Sequence, residues 1–278
     1  MSQQGGGPGF RNTDFSDIDR ADQPEVLVRQ QDRLNSMRGV QAYKRRMAEL
    51  LAPRPGDHLL DAGCGAGADV LALATLVGPT GRVVGVDRGA TMVAQARERA
   101  AGSGLPVEFH VGDITALALP AETFDGCRAD RVLHHLADPA RALAELVRVA
   151  RPGGRIVVFE PEFETTLIDY PDHTLSRRII DFWADTAARN GRIGRRLYAL
   201  FRAQGLSELT VEVHGAALTD LASVRHSVLP DAVLAAAQAA GVITAAEATS
   251  WLTTLEAADR QSRFLLSSSG ILVSGRKP

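Results

Sequence analysis

From residue 53 onward, short runs of β-branched residues and leucine alternate with longer stretches whose apolar positions recur at helical spacing. The runs HLLDA, RVVGVD, VEFHVGD, FDGCRAD and RIVVFEP have the length and composition of buried strands. Between them the pattern predicts helices, one ending at Val77 and others over 91–101 and 139–150. Strand and helix in regular alternation mean βαβ crossovers, and so a doubly wound α/β fold with a parallel sheet.

The flanks follow other patterns. Residues 1–9 are rich in Gly, Gln and Ser and cannot bury enough surface to offset their ordering entropy, so a flexible tail is expected over 1–22. Val26, Leu27, Leu34, Met37, Val40, Met47, Leu50 and Leu51 then keep helical spacing among many arginines and stop before Pro53. This predicts an N-terminal helical lid over 23–52. After RIVVFEP the rhythm loosens: 160–206 is rich in arginine and aromatic residues, SELTVEVHG reads as a sixth strand, and 219–260 is alanine-rich and helical. RFLLSSSGILVSGRKP supplies a last strand. A core over 53–278 is thus expected to carry helical caps at about 160–206 and 219–260, because plain connectors are shorter.

Composition adds little to this picture except exclusions. With 278 residues, 45% hydrophobic, 23% charged and a formal net charge of -2, the chain has the balance of an ordinary globular protein. No basic patch points to a nucleic-acid partner, and no window approaches the roughly 18 apolar residues of a membrane span. Two cysteines, Cys64 and Cys127, do not make a disulfide framework, which fits a cytoplasmic setting.

The chemistry concentrates in DAGCGAG (61–67) and the strand tips beyond it. The glycine turn either brings backbone N–H groups close to a ligand or is a tight connection where helix packs on strand. Its third glycine comes one residue too early for the G-x-G-x-x-G of dinucleotide sites, and Asp61 would repel a pyrophosphate while favouring a cationic ligand. Asp87, ending RVVGVD, suits the two hydroxyls of a ribose. Asp113, after VEFHVG, suits an exocyclic amine with Ile114 over the ring, or else caps its own turn.

Together with ADRVLHHLADPARALAELVRVARPGGRIVV, these stretches resemble the class I S-adenosylmethionine-dependent methyltransferases, in particular small-molecule enzymes similar to the ubiquinone and menaquinone methyltransferases. The resemblance runs from about Tyr43 to Glu160. It implies S-adenosyl-L-methionine as cofactor, S-adenosyl-L-homocysteine as its product, and a Rossmann-like sheet of seven strands whose last is antiparallel. It implies cofactor contacts at Tyr43, Asp61, Gly63, Cys64, Gly65, Asp87, Arg88, Met92, Gly112, Asp113, Ile114, Ala129 and Arg131. No metal is called for.

Methyl transfer is an in-line displacement that needs a nucleophile near the methyl group and, for some acceptors, a base. His134 and His135, after strand four, are the candidate catalytic residues, or a helix start with one histidine packed and one solvated. Phe163, Tyr170, His173, Phe182, Trp183 and Tyr198 have the composition of a lid over an apolar or aromatic small-molecule substrate, or of its core. A homodimer is compatible with this reading. A cofactor-binding cyclase on the same scaffold stays open; an NAD-dependent oxidoreductase is disfavoured by the glycine spacing and Asp113.

Overall fold

The computed structural model describes residue 19, residues 24–227 and residues 230–278. Apart from Asp19, the expected tail over 1–22 lies outside the described residues. Seven strands form one sheet: β1 (His58–Ala62), β2 (Arg82–Asp87), β3 (Val107–Val111), β4 (Phe124–Asp130), β5 (Ala150–Ile168), β6 (Ser207–Leu218) and β7 (Leu266–Arg276). Their order is β3-β2-β1-β4-β5-β7-β6. β1 to β5 pair in parallel, and β7 runs antiparallel between β5 and β6. The chain leaves β1 toward β2 and β3, then returns to the other side of β1 with β4. That reversal opens a crevice at the carboxyl ends of β1 and β4, where ligands of such sheets bind.

Ten helices are described: α1 (Pro24–Ser36), α2 (Arg38–Leu51), α3 (Ala68–Val77), α4 (Ala90–Ala100), α5 (Pro139–Val149), α6 (His173–Thr186), α7 (Leu197–Ala203), α8 (Leu221–Ser227), α9 (Pro230–Ala239) and α10 (Ala245–Arg260). Local chemistry sets several starts. Asp138 accepts from the Arg141 N–H ahead of Pro139, Asp172 accepts from those of Thr174 and Leu175, and Thr244 with Glu247 closes a reciprocal cap on α10. Side-chain alternation along the strands separates two cores. Leu60, Ala62, Cys127, Ala129 and Val158 face α5, whereas Leu59, Val83, Val157 and Phe159 face α2, α3 and α4. A third cluster, with Tyr170, Trp183, Trp251 and Leu255, joins α6, α8, α9 and α10 into a cap.

The cap boundaries shift from those expected. β5 continues to Ile168, so 160–168 is strand rather than cap: β7 doubles back beside it, with Pro161 opposite Gly270 and Ile168 opposite Leu266. The partner strand, 100 residues away in sequence, overrides what looked like a break after RIVVFEP. β6 likewise runs on to Leu218 because β7 supplies partners up to Leu266.

Candidate active site

A cavity of about 590 Å³ occupies the crevice, within the range of about 300–1,000 Å³ typical of small-molecule sites. Twelve of the residues singled out from sequence line it: Tyr43, Gly63, Gly65, Asp87, Arg88, Met92, Gly112, Asp113, Ile114, Arg131, His134 and His135. They come from seven different segments, so the fold alone gathers them. Of the aromatic residues expected in the lid, Phe163 and Trp183 reach the cavity. Tyr170 instead packs in the cap core against Trp251, and Tyr198 is half exposed on α7. His173 is exposed at the start of α6, and Phe182 packs on the cap core.

The glycine turn corrects one expectation. Most of its N–H groups are already used within the protein: those of Gly63 and Cys64 both donate to the Val86 carbonyl at 2.7 and 3.0 Å, and that of Gly67 donates to Cys64. The Gly65 N–H donates to Asp87 Oδ2 at 2.8 Å. With those donors spent, the loop has few N–H groups left to offer a phosphate. Gly63, at φ 78°, also lies so close to Val132 that a Cβ would strike its side chain.

Three further residues singled out from sequence lie off the main cavity. Ala129 is fully buried on the α5 face of the sheet, because strand alternation turns it away from the crevice. Cys64 is also buried, against Gly85, and borders only a small polar recess beside the loop. Asp61 borders the same recess, but its carboxylate already faces Arg128 Nε at 3.3 Å. Burial pushes the Asp61 carboxyl up to about 6 against the pull of Arg128.

That pair belongs to a buried ion cluster which sequence reading missed. Arg128 also meets Asp69 at 3.1 Å and Asp130 at 3.4 Å, Lys44 of α2 reaches Asp69 and lies 2.7 Å from Asp130, and Arg131 Nε lies 3.4 Å from Asp130. Three acids thus balance three cations between α2 and the sheet. Burial raises the Asp130 carboxyl, but Lys44, Arg131 and Arg128 together hold it well below the usual range. One signal was available: Arg128 and Asp130 stand two apart in FDGCRAD, on one face of a strand otherwise buried.

Asp87 accepts from Gly65 N–H through one oxygen and from Gly89 N–H through the other, both at 2.8 Å, and each oxygen keeps a lone pair for a ligand. Burial raises its carboxyl. Asp113 spends Oδ1 on the N–H and hydroxyl of Thr115, as a turn-capping aspartate does, while the residue still lines the cavity. Met92 and Ile114 are buried beside these acids. Arg131, held at φ 60°, gives a terminal nitrogen to Asn35 of α1 at 2.5 Å, while its buried Nε makes no hydrogen bond among the described residues. Tyr43 stacks on Phe159 with centroids 3.8 Å apart and donates to Asp130 at 3.0 Å. α1 closes over the crevice through Asn35, the Asp32–Arg99 pair at 2.7 Å, and Val28 against Ala66 and Met92. Asp19 accepts from the N–H groups of Ala90 and Thr91 at the start of α4.

Next to Arg131, the single helical turn Leu133–His135 places two histidine rings 3.9 Å apart. His134 Nδ1 lies 2.6 Å from Glu160, a residue given no role from sequence. Phe163 meets His134 edge-on at 5.8 Å and Trp183 at 4.7 Å, so the histidines adjoin the aromatic part of the cavity.

A doubly wound sheet with acids at successive strand tips around one cavity and a glycine turn after β1 defines a Rossmann-like architecture. Residues 53–190 match the family model described as a methyltransferase domain. A 37.1 kDa protein of transposon TN4556 from Streptomyces fradiae is 46% identical over 181 residues, covering 65% of this chain and 52% of that protein. The demethylmenaquinone methyltransferase of Symbiobacterium thermophilum is 33% identical over 141 residues, 49% of this chain and 56% of that one. Among solved structures, the YcgJ protein of Bacillus subtilis superposes with a TM-score of 0.60 at 20% identity, over 85% of this chain and 98% of that chain. The chain thus carries a methyltransferase domain over residues 53–190. It spans about half the length of the curated relatives it matches.

Proposed function

We propose that this chain binds S-adenosylmethionine in the crevice and transfers its methyl group to a small, largely apolar acceptor. One observation carries the reading: a single cavity runs from the acids of β2 and β3, past Arg131 and the two histidines, to Phe163 and Trp183. The residues present fit the cofactor. Asp87 offers lone pairs to ribose hydroxyls, and Asp113 offers an acceptor to adenine between Met92 and Ile114, with Arg88 and Gly112 beside it. Arg131, a cation lining the same cavity, suits the methionyl carboxylate. The glycine loop, its donors mostly spent and Asp61 and Asp130 behind it, suits the ammonium and sulfonium charges.

When bound, the cofactor supplies an electrophilic methyl carbon. The chain's own residues do the rest. α1 and α2 exclude water, and Leu34, Met37, Val40, Phe163 and Trp183 present an apolar wall to the acceptor. His134 or His135 takes a proton where the acceptor must lose one. Such a catalyst needs neither nucleic acid nor membrane, and no helix among the described residues is long and apolar enough to cross one. Two unpaired buried cysteines support a reducing, cytoplasmic setting.

Calorimetric titration with S-adenosylhomocysteine and with NADH tests the cofactor, and a labelled methyl group offered to a panel of phenols and amines tests the reaction. Binding of the former without the latter, followed by methyl incorporation, is expected. Failure to bind S-adenosylhomocysteine at millimolar concentration would overturn the reading.

A further inference from the structure

Glu160 is fully buried at the end of the parallel part of β5, directly behind the turn that carries the histidines. Four N–H donors converge on it. The Val132 and Leu133 N–H groups reach Oε1 at 2.8 and 2.6 Å, the His134 N–H reaches Oε2 at 3.3 Å, and His134 Nδ1 reaches the same oxygen at 2.6 Å. Burial pushes the Glu160 carboxyl up to about 7, against which the three backbone N–H groups favour its ionised form. A carboxylate surrounded only by donors is an acceptor in every direction, which favours the imidazole with its proton on Nδ1. Nε2 is then left with a lone pair. It makes no hydrogen bond among the described residues, and the ring lines the cavity.

Resting on the methyltransferase reading, we infer that Glu160 is the positioning residue that locks His134 as the Nδ1–H tautomer, making Nε2 the base for an acceptor methylated on a hydroxyl oxygen. The acceptor class follows from the chemistry. A neutral amine attacks through a lone pair it already has, whereas a phenol or enol is a poor nucleophile until its proton leaves. The apolar, aromatic wall formed by Phe163 and Trp183 beside His134 suits a ring bearing such a hydroxyl.

In the step, the acceptor O–H bond breaks and its proton passes to His134 Nε2. The freed oxygen pair forms the bond to the methyl carbon, while the pair of the breaking carbon–sulfur bond stays on sulfur. The positive charge that leaves sulfur ends on the imidazolium, which Glu160 stabilises before the proton passes to water. Glu160, Arg131, Asp130 and the neighbouring His135 ring are the titratable or charged groups around His134. Burial, and then Arg131, keep the ring neutral before the step and weaken it as a base, which the carboxylate at Nδ1 has to offset.

The test reads the tautomer before activity. Heteronuclear NMR of the histidine rings at neutral pH, with His134→Gln used to assign the signal among seven histidines, should show His134 protonated on Nδ1. In Glu160→Gln the side-chain amide keeps an oxygen for Val132 and Leu133 but presents N–H toward Nδ1. The tautomer should invert, methyl transfer to phenols should fall by about 100-fold, and S-adenosylhomocysteine affinity should stay within twofold of the unmodified protein. An Nε2–H or doubly protonated ring in the unmodified protein overturns the inference, as does Glu160→Gln that keeps the Nδ1–H form. If Glu160→Gln does not fold, the tautomer of the unmodified protein decides alone. Loss of S-adenosylhomocysteine binding in the unmodified protein would instead defeat the parent reading and leave the tautomer assignment standing.

Discussion

Each oxygen of Asp87 anchors a loop N–H and faces the cavity, so this carboxylate does two things at once. Asp87→Ala is expected to weaken S-adenosylhomocysteine binding by about 10- to 100-fold, the worth of hydrogen bonds to a charged group, measured by calorimetry. His134 gives a pH signature. Its ring is pushed down to about 3 by burial and then by Arg131, whereas in the unfolded chain it titrates near about 6.5. Between those values the unfolded chain binds the extra proton, so His134 contributes stability above the upper value that is lost as pH falls toward the lower. Melting temperature followed against pH should therefore drop more steeply on the acid side for the unmodified protein than for His134→Gln.

At the scale of the element, α1 and β4 carry the arrangement. α1 is tied across the crevice by partly exposed contacts, Asn35 to Arg131 and Asp32 to Arg99, and exposed pairs contribute only about 0–1 kcal/mol each. A double substitution, Asp32→Ala with Asn35→Ala, should speed S-adenosylhomocysteine dissociation several-fold while the ligand-free melting temperature barely moves; stopped-flow displacement measures the first and calorimetry the second. β4 is the opposite case. Arg128 faces Asp61, Asp69 and Asp130 with almost no exposure, so Arg128→Met leaves buried carboxylates uncompensated. A loss of about 3–5 kcal/mol in denaturant unfolding is expected.

Across the whole molecule, ligand binding should appear as stability. Saturation at about 100 times Kd adds about 2.7 kcal/mol, or about 5–10 °C in melting temperature for a chain of this size, and NADH should add none. The alternation of strands and helices over β1 to β5 was legible because each element obeys its own period, and Asp87 and Asp113 were legible because strand tips can be located once the strands are. What stayed hidden depends on partners distant in sequence. Residues 160–168 become strand through β7, and Lys44, Asp69 and Arg128 become one cluster only after α2 is laid on the sheet. The tautomer set by Glu160 likewise needed the turn at 133–135 to be seen over β5. The glycine spacing pointed away from pyrophosphate, but its stronger reason, donors already spent on Val86 and Asp87, is a tertiary fact.

The unbroken cavity has a consequence for inhibition. Because Asp87 and Met92 line the same cavity as Phe163 and Trp183, one molecule joining an adenosine to an aromatic group through a short tether would occupy both halves together. The second half would then bind at the high effective concentration that a short linker confers, and such a compound should exceed either fragment by about 100-fold or more in affinity. The aromatic end would carry the selectivity, since that wall is built from the extension of β5 and from α6 rather than from the tips of β2 and β3.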